Sequence, residues 1–82
     1  MRVKVKMPKL GLTMTEGTIM EWRKSAGEQV RAGEILFVVE TEKVEVEVEA
    51  PATGTLVEIL GEVKGVYAIG EVIAVIDTRD GG

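Results

Sequence analysis

Lys43 is the residue whose setting could matter most for chemistry, because it stands between Glu42 and Val44 at a polar corner between two β-rich runs. A lysine in such a corner is either one more solvated charge or an amine held out for another protein to reach. A Schiff-base lysine needs burial to lower its pKa, and a corner crowded with carboxylates does the opposite. Glu45, Glu47 and Glu49 follow on one side of a period-2 stretch. Successive carboxylates on that face stand about 7 Å apart with no other ligand type beside them, so a solvated acidic face is expected rather than a metal site. The chain has no cysteine and no histidine. It therefore lacks thiol nucleophiles, thiolate metal sites and the usual general base. No Ser/His/Asp or Cys/His set and no phosphate-binding glycine loop occurs. An enzyme in its own right is not expected.

The elements that position Lys43 are read from its flanks. Ile35 to Val39 is an unbroken β-rich run, and Val44 to Ala50 alternates valine with glutamate until Ala50. Both patterns predict strands, joined as a hairpin with Glu42 and Lys43 at the tip. Setting Thr41 against Val44 pairs Val39 with Val46 and Phe37 with Val48 on one side. Glu40 then faces Glu45, while Val38 and Leu36 face Glu47 and Glu49 on the other. A slip of one residue would set valines against glutamates, so the register is well specified. Neither tip residue is Gly or Asn, which predicts a type I turn rather than type I′.

At 82 residues with 45% apolar content, the chain has the size of one small domain or one module of a longer protein. A net charge of −4 argues against nucleic acid as the main partner. The basic start, Met1 to Lys6, leads into no apolar segment, and no signal peptide or membrane span is expected. The absence of cysteine suits a reducing compartment.

An internal repeat organises the rest. Residues 17–41 align without a gap on residues 54–78, with Gly17/Gly54, Thr18/Thr55, Glu21/Glu58, Gly33/Gly70, Glu34/Glu71, Val38/Val75 and Thr41/Thr78 identical. Ile19, Trp22, Ala26 and Val30 nearly trace a helical stripe. Gly27 in one copy and Gly61 and Gly65 in the other are poor content for a helix interior. Each copy therefore reads as strand, tight turn, short strand, Gly-Glu turn, strand. Upstream, Val3 to Pro8 corresponds to Val46 to Pro51, so the loop after the first strand, Lys9 to Glu16, is six residues longer than its counterpart. Eight short strands must share one core. The expected fold is all-β, a barrel-sandwich hybrid of two four-stranded antiparallel sheets related by a pseudo-two-fold. The domain is expected to span residues 1–77, with residues 78–82 opening a linker or tail, and the chain ends far from the hairpin.

Met7-Pro8-Lys9-Leu10-Gly11, Thr15-Glu16-Gly17, Trp22, Gly27, Val30, Gly33-Glu34, Glu40-Thr41-Glu42-Lys43, Ala50-Pro51 and Gly54 recur in one order and spacing over nearly the whole chain. With them the chain resembles the lipoyl domain of 2-oxo acid dehydrogenase complexes, within the biotinyl/lipoyl carriers. The resemblance implies that Lys43 is amidated by lipoate as a swinging arm carrying acyl groups and electrons, with Glu40, Thr41, Glu42 and Val44 forming the attachment hairpin. It implies a non-catalytic module of a dihydrolipoyl acyltransferase chain, monomeric when isolated. The implied partners are a thiamine-dependent 2-oxo acid decarboxylase/dehydrogenase, the acyltransferase core, dihydrolipoyl dehydrogenase, and a lipoate ligase or octanoyltransferase. The implied location is the cytoplasm of a prokaryote or the mitochondrial matrix. Biotin carriers of carboxylases are similar but place the lysine between two methionines, so lipoate is favoured over biotin. An unmodified interaction module of the same fold is the remaining alternative.

In that family the long loop lies beside the lysine hairpin, which implies that Leu10, Gly11, Leu12, Thr13, Met14, Thr15 and Glu16 meet a partner reaching for the arm. The alternative is that Leu10, Leu12 and Met14 cover an open end of a small core. Met20 and Trp22 pair in the repeat with Val57 and Ile59, which places them in the core or on ordinary surface.

Overall fold

The alternation and the repeat are realised as eight strands in the computed structural model, which describes residues 1–42 and 44–78. They are β1 (Arg2–Lys6), β2 (Glu16–Trp22), β3 (Gln29–Val30), β4 (Ile35–Thr41), β5 (Val44–Glu49), β6 (Gly54–Ile59), β7 (Val66–Ala68) and β8 (Val72–Asp77). One sheet runs β1-β8-β6-β3 and the other β5-β4-β2-β7, and every pairing is antiparallel. The internal repeat maps β2, β3 and β4 onto β6, β7 and β8, so the two sheets have matching strand orders. Among the described residues there is no helix, and the stretch with the near-helical stripe forms β2, a turn and β3.

The repeat extends to backbone detail. Gly33 and Gly70 hold φ of +94° and +91°, a left-handed region open to glycine at little cost. Each is followed by a glutamate whose carboxylate closes the turn. Glu34 accepts from the Arg31 N–H at 2.8 Å, and Glu71 accepts from the Ala68 N–H at 3.2 Å. Gly33 N–H donates to the Ala50 carbonyl at 3.0 Å, as Gly70 N–H donates to that of Met7 at 2.9 Å. Gly27 and its repeat partner Lys64 also share positive φ, +96° and +75°.

The core lies between the sheets, with Ile19, Leu36, Phe37, Val39, Leu56, Ile73, Ala74 and Ile76 fully buried. Here the expected hairpin pairing needs one correction. Val38 and Glu47 pair as expected, but Leu36 does not face Glu49, because Ile35 pairs with Glu49 and Phe37 with Val48. Leu36 is an extra residue in a bulge, and the bulge turns it into the core beside Phe37. Ile73 occupies the same place in β8 opposite β1, between Ala74 and Val72. Met20 and Val57 are a second matched pair of bulge residues. The bulges at Leu36 and Ile73 let adjacent apolar residues share one small core, which strict alternation forbids, whereas Met20 and Val57 stay half-buried outside it.

Candidate functional site

The hairpin that presents position 43 is braced from both sides. β4 lies between β5 and β2, so its last residues are held twice: Glu40 pairs with Glu45 and with Thr18. Thr41 pairs with Val44, which leaves a two-residue tip, Glu42 and Lys43. Lys43 itself lies outside the described residues. Glu42 is exposed, and Val44 keeps 57% of its surface in water.

The turn differs from the type I expected. Glu42 has φ +46°, whereas the first central residue of a type I turn needs about −60°. A positive φ belongs to the primed turns, whose twist matches that of the strands they join. The register set by the valines dictates this geometry, and Glu42 accepts a left-handed backbone that costs an L-residue about 1–2 kcal/mol.

The long loop folds against the hairpin. Gly11, Thr13, Met14, Thr15, Glu16, Gly17 and Thr18 line a cleft of about 270 Å³ together with Glu40, Thr41 and Glu42. Three carboxylates and four threonine hydroxyls border it. The structure thus brings together the hairpin residues Glu40, Thr41 and Glu42 with five of the seven loop residues singled out in the sequence. Leu10, Leu12 and Val44 lie outside the cleft lining. β2 already begins at Glu16, so the loop is shorter at its end than the sequence suggested.

The loop's apolar residues divide into two roles. Met14 is buried, its sulfur accepts the Leu10 N–H at 3.2 Å, and Leu10 packs on the core. Gly17 makes room for this closure: a Cβ there would come within 2.9 Å of the Met14 Cε and 2.7 Å of the Val39 Cγ1. Leu12, by contrast, is 94% exposed. Met14 and Leu10 are core cover, whereas Leu12 contributes nothing to the core. Gly17 stood out in the sequence as a repeat position and as part of Thr15-Glu16-Gly17, and Thr18 only as a repeat position, because nothing local signals that they wall a cleft.

Trp22 is structural. Its Nε1–H donates to the Gly61 carbonyl at 2.8 Å, and its ring lies against Phe37 with centroids 5.0 Å apart. On the outer face Arg23 pairs with Glu21 and with Glu47, both at 3.2 Å, and these carboxylates, Glu21 foremost, hold its guanidinium above the ordinary arginine value. Val38, pointing outward in β4, lines a shallow groove with Arg23, Glu21, Glu45, Val46 and Glu47. Among the described residues no group of three carboxylates is placed to hold a metal.

Comparison with known proteins follows the same lines. A model of the biotin/lipoyl family, described as "Biotin-requiring enzyme", matches residues 3–76. The dihydrolipoyllysine-residue acetyltransferase component of the pyruvate dehydrogenase complex of Corynebacterium glutamicum is 42% identical over 98% of this chain. The dihydrolipoyllysine-residue succinyltransferase component of the 2-oxoglutarate dehydrogenase complex of Rickettsia conorii is 44% identical over 94%. The chain spans only 12% and 20% of those two proteins. The solution structure of the lipoyl domain of the 2-oxoglutarate dehydrogenase complex from Azotobacter vinelandii matches with a TM-score of 0.77 at 31% identity. That match covers 98% of this chain and 99% of that one. Kluyveromyces lactis urea carboxylase shares the fold, with a TM-score of 0.77 at 22% identity over 93% of this chain and 6% of its own.

Proposed function

The chain belongs to the biotin/lipoyl attachment family, and we propose that it is a lipoyl carrier domain whose Lys43 bears lipoate through an amide to its side-chain nitrogen. The observation that carries this reading is the hairpin register, in which Thr41 pairs with Val44 and only Glu42 and Lys43 remain at the tip. The surroundings fit such a group. Glu42 and Val44 are exposed, so a ligase approaching position 43 meets no packed side chain on either neighbour. A lipoyl group bound there would supply a dithiolane able to take up and pass on acyl groups and electrons.

The protein's own part is mechanical. β4 is paired with β5 and β2, so the strand that leads to the attachment point is braced on both sides. Tethering confines the arm's end to a small volume and raises its effective concentration at each site within reach. The neighbours Glu42 and Val44, rather than a pair of methionines, favour lipoate over biotin. The module would serve as part of a dihydrolipoyl acyltransferase chain. Its partners would be a thiamine-dependent 2-oxo acid decarboxylase, the acyltransferase core and dihydrolipoyl dehydrogenase. A lipoate ligase or octanoyltransferase would install the group. The same reading would put the protein in the cytoplasm of a prokaryote or the mitochondrial matrix.

Intact-mass measurement of the protein from its own host tests the assignment. A lipoyl adduct should map to Lys43 and take the formal net charge from −4 to −5, as an ammonium becomes a neutral amide. Lys43→Arg should fold normally and carry no adduct. An adduct mapped to Lys9 or Lys64, or one persisting in the Arg variant, would overturn the proposal.

A further inference from the structure

Each sheet has a short edge strand, β3 in the first and β7 in the second, and a longer one at its other end, β1 in the first and β5 in the second. The repeat makes these two edges counterparts, yet their charges are opposite. Arg2, Lys4 and Lys6 are exposed along β1, and Glu45, Glu47 and Glu49 along β5. The valines alternate with them on the other face, Val3 and Val5 in one strand, Val46 and Val48 in the other. The bulges in these pairings fall on the inner strands, at Ile73 of β8 and Leu36 of β4. Both outer edges are therefore free of bulges, and the charges that guard each against unselective pairing leave it open to an edge of opposite charge.

We propose that β1 of one copy docks antiparallel on β5 of a second copy as a weak, reversible contact between carrier domains. One register satisfies every position. Arg2 faces Glu49, Lys4 faces Glu47 and Lys6 faces Glu45, while Val3 meets Val48 and Val5 meets Val46. Directly opposed unlike charges stabilise a strand pair and like charges oppose it. Pairing β1 with β1 about Lys4 sets Arg2 against Lys6, and pairing β5 with β5 about Glu47 sets Glu45 against Glu49. Both like pairings are thus disfavoured and the mixed one remains. Glu47 already binds Arg23 at 3.2 Å, so the outer pairs, Arg2–Glu49 and Lys6–Glu45, carry the discrimination. Exposed ion pairs contribute little each, so the contact forms only at high local concentration of the domain.

The test uses the 82-residue chain, with diffusion and backbone amide shifts followed by NMR from micromolar to millimolar concentration. The expected result is slower diffusion with shifts confined to β1 and β5. Association should weaken at least about tenfold between about 0.01 M and 1 M salt, as the screening length contracts from about 30 Å to about 3 Å. Arg2→Glu with Lys6→Glu in one variant, and Glu45→Lys with Glu49→Lys in another, should each abolish self-association. Mixing the two should restore it. Association of either variant alone at the original strength would place the contact elsewhere, such as on exposed Leu60, Val63 and Val66, and overturn the proposal. So would a lack of self-association at millimolar concentration in low salt. If a variant fails to fold, the unsubstituted chain still decides: association that ignores salt would refute a charge-matched edge.

Discussion

Leu12→Ala and Met14→Ala separate the two roles of the long loop. Leu12 is 94% exposed, so truncating it removes almost nothing from the folded core, and its effect on stability should stay within about 0.5 kcal/mol. The same exposure leaves nearly the whole side chain available to a partner. Burying a leucine is worth about 1.5–3 kcal/mol. If the domain is the lipoyl carrier proposed above, losing that contact should lower kcat/KM for its reductive acylation by a thiamine-dependent decarboxylase between about 10- and 100-fold. Met14 behaves in the opposite way. It is 9% exposed and packs into the core cluster, and its sulfur holds the Leu10 N–H. A buried Met→Ala change costs about 2–5 kcal/mol, and a site at the core's rim belongs near the lower end. For a domain of this size, about 2–3 kcal/mol lowers Tm by about 8–24 °C. The assay pairs thermal melts with single-turnover acylation of lipoylated protein, well below each variant's Tm. If Leu12→Ala melts several degrees early, Leu12 is structural, and if it acylates at the unsubstituted rate while fully lipoylated, Leu12 does not contact the partner.

Lys64 holds φ +75° where its repeat partner is Gly27, so Lys64→Gly should stabilise the domain by about 0.5–1 kcal/mol. Gly27→Ala should cost at least as much, and denaturant melts of both variants check the pair. The Glu34 carboxyl is held below the usual glutamate range, first by the Arg31 N–H and then by Lys24 at 3.4 Å. A lowered folded-state pKa gives stability that is present above the unfolded value and lost as pH falls through the folded one. Glu34→Gln should therefore be less stable than the parent at neutral pH and lose less of its Tm on acidification below pH ~4.5. Equal losses in parent and variant would show that this carboxylate does not contribute. Inserting one residue between Thr41 and Glu42 should abolish lipoylation in a chain that still folds, because it re-aims the tip. Glu42→Met with Val44→Met should admit some biotinylation, read by mass spectrometry after exposure to a biotin ligase.

The sequence by itself determined the strand content, the internal two-fold and the pairing of Val44 to Val48 with Phe37 to Thr41. Each of these is written in short-range periodicity or in repetition, which survive without knowledge of what lies across the core. The Gly-Glu turns were legible for the same reason, since glycine at positive φ and a carboxylate closing the next turn are local chemistry. What only the tertiary structure decided lies where the two sheets compete for one small interior. Leu36 and Ile73 leave the alternation because the core needs them, and no local rule marks a residue for a bulge. Glu42 takes a left-handed backbone between two paired strands, and Lys64 takes one in a turn that passes between the two sheets, each against its own preference. Leu12 and Met14 share one loop and similar hydrophobicity, yet one is immersed in water and the other buried. That difference is set by the space above Gly17, between Met7 and Val39, which comes into being only once distant strands have met.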